Sequence, residues 1–350
     1  MHATRRTRLR GRLSDAELDA LLVTKRVNVR YLTGFTGSVG ALLVTAESAV
    51  LAVDDRYAEQ AADEVADVEL VVTRGDDWLR ERGRGARLGL ESHDLSWDRA
   101  LALAGLLDAR VEPAPAHVET LRQVKDAAEL AALRRACAIT DGAFAHLCGR
   151  LGPGLTEREV ARLLHHTLTE LGAHDQAFEA IVASGPHSAR PHHRATDRRL
   201  AAGDVVKLDF GALVEGYHAD MTRMVALGAP DPELERVFAV VRRAQEAGVA
   251  AVTDGVPAKT VDAACREHIA AAGYGERFPH GTGHGLGLEI HEAPVLRQEA
   301  GATLRAGMTV TVEPGVYLPG LGGVRIEDTV AVTGGSADVL TRSPRDLVRL

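Results

Sequence analysis

Two stretches of this sequence place carboxylates inside runs that read as buried strands, and that constrains the fold more than any other feature. The first, residues 203–227 (GDVVKLDFGALVEGYHADMTRMVAL), is two apolar runs joined by a turn containing Gly216, the pattern of a β-hairpin. Val205, Val206, Leu208 and Phe210 cover both faces of the first run, as in a strand buried on both sides. Yet Asp209 lies within it. A two-residue turn centred on Val214 and Glu215 sets Asp209 directly opposite Asp220, with both side chains on one face. Facing carboxylates repel unless a cation lies between them. The alternative, two aspartates on the solvent side of a surface hairpin, fits poorly with such apolar neighbours.

The second stretch spans residues 278–328. It begins FPHGTGHGLGLEIHE, with His280, His284 and His291 set among glycines, and ends TVEPGVYLPGLGGVRIED. Glycines let the backbone turn tightly and approach a ligand closely. Glu313 and Glu327 follow the strand-like runs 308–312 and 323–326. Taken singly, a histidine in such a loop is a turn residue and a glutamate on a strand faces solvent. Together with Asp209 and Asp220 they form an oxygen-rich set with enough negative charge for two divalent cations. Such a pair, about 3.5–4 Å apart, can activate a water and stabilise the oxyanion formed by its attack. Zinc alone more often shows cysteine or several histidine ligands, and Mn²⁺, Co²⁺ and Zn²⁺ all stay open.

In the contexts DFG, ADMTR, GTGHGLG, VEPG and RIED, the residues Asp209, Asp220, His284, Glu313 and Glu327 resemble, in order and spacing, the five ligands of the pita-bread metallopeptidases. That family includes methionine aminopeptidase, aminopeptidase P and prolidase, with metal-free creatinase as a relative. The resemblance implies that Asp209 chelates one metal ion, that Asp220 and Glu327 bridge two, and that His284 and Glu313 complete the second site. Glu313 is also implied as a general base. His291 matches the substrate-side histidine, and His280 and His192 match positions that the proline-specific branch uses around substrate and proton transfer. The stretch NVRYLTGFTGS (28–38) and Asp55-Arg56-Tyr57 are similar to the amino-terminal domain of the aminopeptidase P, prolidase and creatinase branch, which methionine aminopeptidases lack.

The implied architecture is an α/β amino-terminal domain over residues 1–120 and an α+β pita-bread catalytic domain over 121–350, with pseudo-twofold halves around a curved antiparallel sheet. The residues support it. Buried strands are expected at 20–23, 41–44 and 50–53 and further strands at 70–72 and 88–90, with a helix at 57–65, which is an α/β layer pattern. The prolines of PAPAH (113–117) suggest a linker. Beyond it, helices over 127–147 and from 154 to near 172 are echoed about a hundred residues later by helices over 232–252 and from 255 to near 273. The first residues, MHATRRTRLRGR, lack the apolar segment of a secretory signal and read as a frayed start, and Ser14 reads as the cap of the first helix. His187 and His193, in the loop-like segment 181–196, read as solvated.

Composition excludes several classes. A net charge of −8 offers no electrostatic footing for nucleic acid, and no apolar run is long enough to span a membrane. Cys137, Cys148 and Cys265 form no CxxC pair, so free thiols and a cytoplasmic setting are expected. Gly34 to Gly40 lacks the Gly-Lys-Ser/Thr of a phosphate cradle. The implied substrates are short proline-containing peptides, and the family's habit implies a homodimer. Two activities are open: removal of the first residue from Xaa-Pro-… peptides, and cleavage of Xaa-Pro dipeptides alone. A strict dipeptidase must recognise a free carboxylate. Some prolidases carry an arginine where this chain has Val295, so the sequence points to the aminopeptidase, with Arg190, Arg194 and Arg297 as other cations near the site. A third reading, an inactive binding module, fits poorly with five intact ligand positions.

Overall fold

The computed structural model describes residues 1–350, the side chain of Glu81 excepted. The chain divides into two compact units, Met1–Arg122 and Gln123–Leu350. The first is built on a six-stranded sheet of β1 (Ala20–Val23), β2 (Ala41–Thr45), β3 (Ala49–Val53), β4 (Glu69–Val72), β5 (Arg87–Leu90) and β6 (Arg110–Pro113). Its order is β4-β3-β2-β1-β5-β6, with β2 alone antiparallel to its neighbours. Leu21, Leu42, Leu43 and Leu51 are fully buried within it. The expected strands are all present. Pro113 is the last residue of β6, where an edge strand tolerates a missing N–H donor.

The amino terminus differs from expectation. His2–Asp15 is one helix, and Ser14 lies in its last turn instead of capping a new one. Arg5 and Arg6 are buried and donate to the carbonyls of Tyr31 (3.0 Å) and Leu32 (2.7 Å). Those carbonyls end the helix Arg26–Thr33, where the last turn leaves acceptors unfilled. Guanidinium capping of a neighbouring helix, together with burial of Leu9 and Leu13, orders a segment that reads as frayed.

The second unit repeats one module. Helices Ala127–Cys148 and Glu157–Glu170, both opened by capping boxes (Asp126 with Glu129, Thr156 with Glu159), precede β7 (Asp175–Gln176), β8 (Ile181–Ser184), β9 (Val205–Phe210), β10 (Ala212–Val214), β11 (Tyr217–His218) and β12 (Met221–Ala226). Helices Pro232–Ala251 and Ala258–Ala271 precede β13 (Gly283–Gly285), β14 (Glu292–Leu296), β15 (Thr309–Val312), β16 (Gly315–Leu318), β17 (Gly322–Arg325), β18 (Asp328–Ala331), β19 (Asp338–Val339) and β20 (Val348–Arg349). The sheets β20-β12-β9-β8 and β14-β13-β15-β18-β19 are the cores of the two halves. This is the pita-bread arrangement. Among the described residues no helix is long and apolar enough to cross a membrane, and the three cysteines are free.

The hairpin corrects one detail of register. Its turn is centred on Glu215 (φ 51°) and Gly216 (φ 83°), one residue later than expected, because two consecutive positive φ angles favour the pair that contains glycine. Val214 therefore pairs with Tyr217, and Asp209 with Thr222. Asp220 is diagonal to Asp209, still on the same face. Gly211 makes this approach feasible, since a Cβ there would lie 1.7 Å from the Ala219 carbonyl oxygen.

Candidate metal centre

Five acidic or imidazole side chains arrive at this centre from both halves. Asp209 comes from β9 and Asp220 from the residue before β12; His284 lies in β13, Glu313 directly after β15, and Glu327 between β17 and β18. Asp209, Asp220 and Glu327 are buried. Asp220, His284 and Glu327 each offer a ligand atom within 4.8 Å of the others. His284 Nε2 is 3.5 Å from Asp220 Oδ2 and 3.5 Å from Glu313 Oε1. Its Nδ1 lies 2.9 Å from the Gly285 carbonyl oxygen, which holds the proton on Nδ1 and turns the Nε2 lone pair toward the carboxylates.

The electrostatics are those of a site short of positive charge. Burial, and then the charges of Asp209 and Glu313, push the Asp220 carboxyl well above its usual range. Burial, and then Asp220, Glu313 and Asp209, do the same to Glu327, and burial raises Glu313 despite His284 and Arg325. Asp220 Oδ1 is buried with no hydrogen-bond partner. A buried lone pair without a donor, beside carboxyls that repel one another, fits a divalent cation, and the oxygen-rich set with one imidazole fits a hard or borderline one.

Arg325, Tyr317, Thr222 and Lys207 belong to this site too, although sequence reasoning gave them no role. Arg325 forms an ion pair with Asp209 and donates to the Tyr317 hydroxyl (3.0 Å) and Thr222 Oγ1 (3.1 Å). Thr222 Oγ1 in turn donates to Glu327 Oε2 (2.6 Å). Lys207 is fully buried and binds the carbonyls of Ser188, Arg190 and Pro191, pinning the segment that carries His192. Arg325 and Lys207 had a signal. Each is a cation inside an otherwise apolar strand, and such a charge must meet a partner there.

His192, His280 and His291 line a cleft of about 220 Å³ beside Glu313, with Val295 and Arg297 on its wall. His280 is pushed down to about 4 by burial and then by Arg325, so it is neutral at neutral pH. Its Nδ1 lies 2.8 Å from the Gly281 carbonyl oxygen, which leaves Nε2 to accept from the Tyr317 hydroxyl at 2.8 Å. The His291 and His284 rings sit edge to face, 4.4 Å apart. Burial lowers the pKa of His291 as well, and the neighbouring His284 and His192 add to that.

A second carboxylate–histidine cluster lies elsewhere in the same unit. Glu157, His187 and His193 also bring ligand atoms within 4.8 Å of one another. Neither histidine reads as part of a cluster in the sequence, and His193, expected to be solvated, is 5 % exposed. Glu157 Oε1 accepts from Ser184 N, Ser184 Oγ and His187 Nδ1 at 2.8–3.0 Å. Its Oε2 accepts from His193 Nε2, Thr196 N and Thr196 Oγ1 at 2.7–3.0 Å. Six donors occupy both oxygens, which leaves no lone pair for a cation.

Comparison with known proteins agrees with this geometry. Residues 131–334 match metallopeptidase family M24, and residues 5–124 match the creatinase/prolidase N-terminal domain. The chain belongs to metallopeptidase family M24. It is 41 % identical over 350 residues to an uncharacterized peptidase of Bacillus subtilis (98 % of this chain, 99 % of the relative). It is 35 % identical over 333 residues to a Pyrococcus horikoshii Xaa-Pro dipeptidase (95 % of each). Among solved structures it is similar to an Xaa-Pro dipeptidase from Bacillus anthracis (TM-score 0.97, 38 % identity, all of both chains). It is also similar to an X-Pro aminopeptidase from Thermotoga maritima (TM-score 0.89, 34 % identity, 97 % of this chain and 100 % of that one).

Proposed function

We propose that this protein hydrolyses the peptide bond before proline, and that its substrates are Xaa-Pro dipeptides. The observation that carries the reading is the convergence of Asp209, Asp220, His284, Glu313 and Glu327 in a chain similar along its whole length to an Xaa-Pro dipeptidase. The aminopeptidase, which the sequence favours through Val295, is the less supported reading; the similarity to the T. maritima enzyme keeps it as the second one.

The five residues would hold two divalent ions, which lower the pKa of a water and polarise the scissile carbonyl. Glu313, at the cleft, takes the proton from the attacking water and passes it to the proline nitrogen. That nitrogen leaves from a tertiary amide, so proton delivery governs its departure. His291, neutral and beside His284, donates an N–H to the carbonyl oxygen as negative charge develops there. His280, fixed in one tautomer by Gly281 and Tyr317, and His192, on the segment tethered by Lys207, border the pocket for the proline ring.

The test is hydrolysis of an Xaa-Pro dipeptide and of the same sequence extended by one or two residues, with manganese, cobalt or zinc supplied. Faster turnover of the dipeptide supports the proposal. Faster turnover of the extended peptide transfers it to the aminopeptidase, and turnover of neither refutes both.

A further inference from the structure

Strand β14 has an alternating face. Pro294 and Leu296 point into the core, while Ala293, Val295 and the next residue of that parity, Arg297, are exposed. Val295 and Arg297 both border the cleft that holds His192, His280, His291 and Glu313. Gly281 keeps this wall close: a Cβ there would lie 3.1 Å from Arg297 Cβ and 2.8 Å from the Leu296 carbonyl oxygen. The base of the Arg297 side chain therefore lies against the backbone that presents His280.

The other cations near the cleft are committed. Arg325 is buried and bonded to Asp209, Tyr317 and Thr222. Lys207 is spent on three carbonyls, and Arg194 pairs with Glu179 at 3.4 Å. Arg190 does not line the cleft. Among the described residues the Arg297 side chain has neither an ion pair nor a hydrogen bond. An unpaired guanidinium on the wall of a small cleft presents a planar fork of donors, which matches a carboxylate in two-point contact.

We propose that Arg297 binds the free carboxylate of the substrate's proline, so that the clamp missing at Val295 is supplied from two residues further along the same strand face. This rests on the reading of the protein as an Xaa-Pro peptidase and deepens it. A peptide extended beyond proline has a neutral amide at that point and leaves the guanidinium unpaired, so the same contact that favours dipeptides disfavours longer chains.

The experiment compares glycyl-proline with glycyl-prolinamide in the full-length, metal-loaded protein, and reads L-proline and L-prolinamide binding by calorimetry. For the wild type, kcat/KM for the acid should exceed that for the amide by about tenfold or more, as expected for one charge-assisted contact. Arg297→Ala should bring that ratio towards one, with most of the change in KM, and weaken L-proline binding by a similar factor. Arg297→Lys, which keeps the charge but not the fork, should recover part of both. An acid-to-amide ratio that Arg297→Ala leaves unchanged, with L-proline still bound as tightly, overturns the clamp while the peptidase reading stands. A wild type that cleaves neither compound overturns the peptidase reading, and the clamp with it.

Discussion

Glu157 and Glu327 are both enclosed glutamates with a histidine within reach, and their surroundings are opposite. Glu157 is met by six donors. Burial opposes its charge, yet hydrogen bonds from Thr196, His193 and Ser184 prevail and hold its carboxyl down at about 2. Glu327 accepts from Thr222, faces Asp220, Glu313 and Asp209, and is pushed upward. Proximity of ligand atoms is the same in both clusters. What separates them is how many lone pairs are already filled. The first is a staple for the segment between β8 and β9; the second gathers negative charge that a cation would neutralise.

Substitutions should pull the two apart, and the largest effect belongs to the metal centre. Asp209→Ala or Glu327→Ala should remove bound metal and lower kcat by roughly 10³-fold or more, since the activated water and the carbonyl polarisation go together. Metal analysis alongside a turnover assay checks this. Glu157→Gln should do the reverse, keeping the metal content of the wild type while lowering stability by about 2–4 kcal/mol in denaturant unfolding, because a Gln amide nitrogen meets donors it cannot accept from.

The same staple sets a pH dependence. Glu157 has a folded pKa below its ordinary 4.5, so its contribution is fully present above that value and fades as pH falls toward about 2. The amount is roughly 3 kcal/mol. The stability gap between wild type and Glu157→Gln should therefore narrow between pH 5 and 2, and a constant gap would count against the six-donor account. In chelated protein, Asp220→Asn should raise stability by about 1–2 kcal/mol at neutral pH and above, since it removes a buried carboxyl whose ionised form is disfavoured. The smallest expected effect is that of Thr222→Val, a loss of metal affinity of about tenfold as Glu327 loses its orienting hydroxyl.

Much of this was legible in the sequence, for physical reasons. The strands of the first unit are short, β-branched or leucine-rich and bounded by turn residues, so period and composition mark them. The carboxylates stood out because they interrupt apolar runs. Other features depended on distant partners. The helix His2–Asp15 is tied through Arg5 and Arg6 to carbonyls near residue 31, and the hairpin register turned on which residue pair takes positive φ. Arg325 and Lys207 were visible as oddities in buried strands, but their partners lie on other strands and loops. His193 resembles its solvated neighbours in sequence; only the fold carries it to Glu157.

The central claim is that cations bind at the Asp209–Asp220–His284–Glu313–Glu327 set and not at Glu157. Counting metal ions per chain by mass spectrometry, in wild type, Glu327→Ala and Glu157→Gln proteins prepared identically, tests it most directly. The account predicts two per chain in the wild type, two in Glu157→Gln, and loss in Glu327→Ala. Metal retained in Glu327→Ala, or an ion lost in Glu157→Gln from a protein that remains folded, would contradict it.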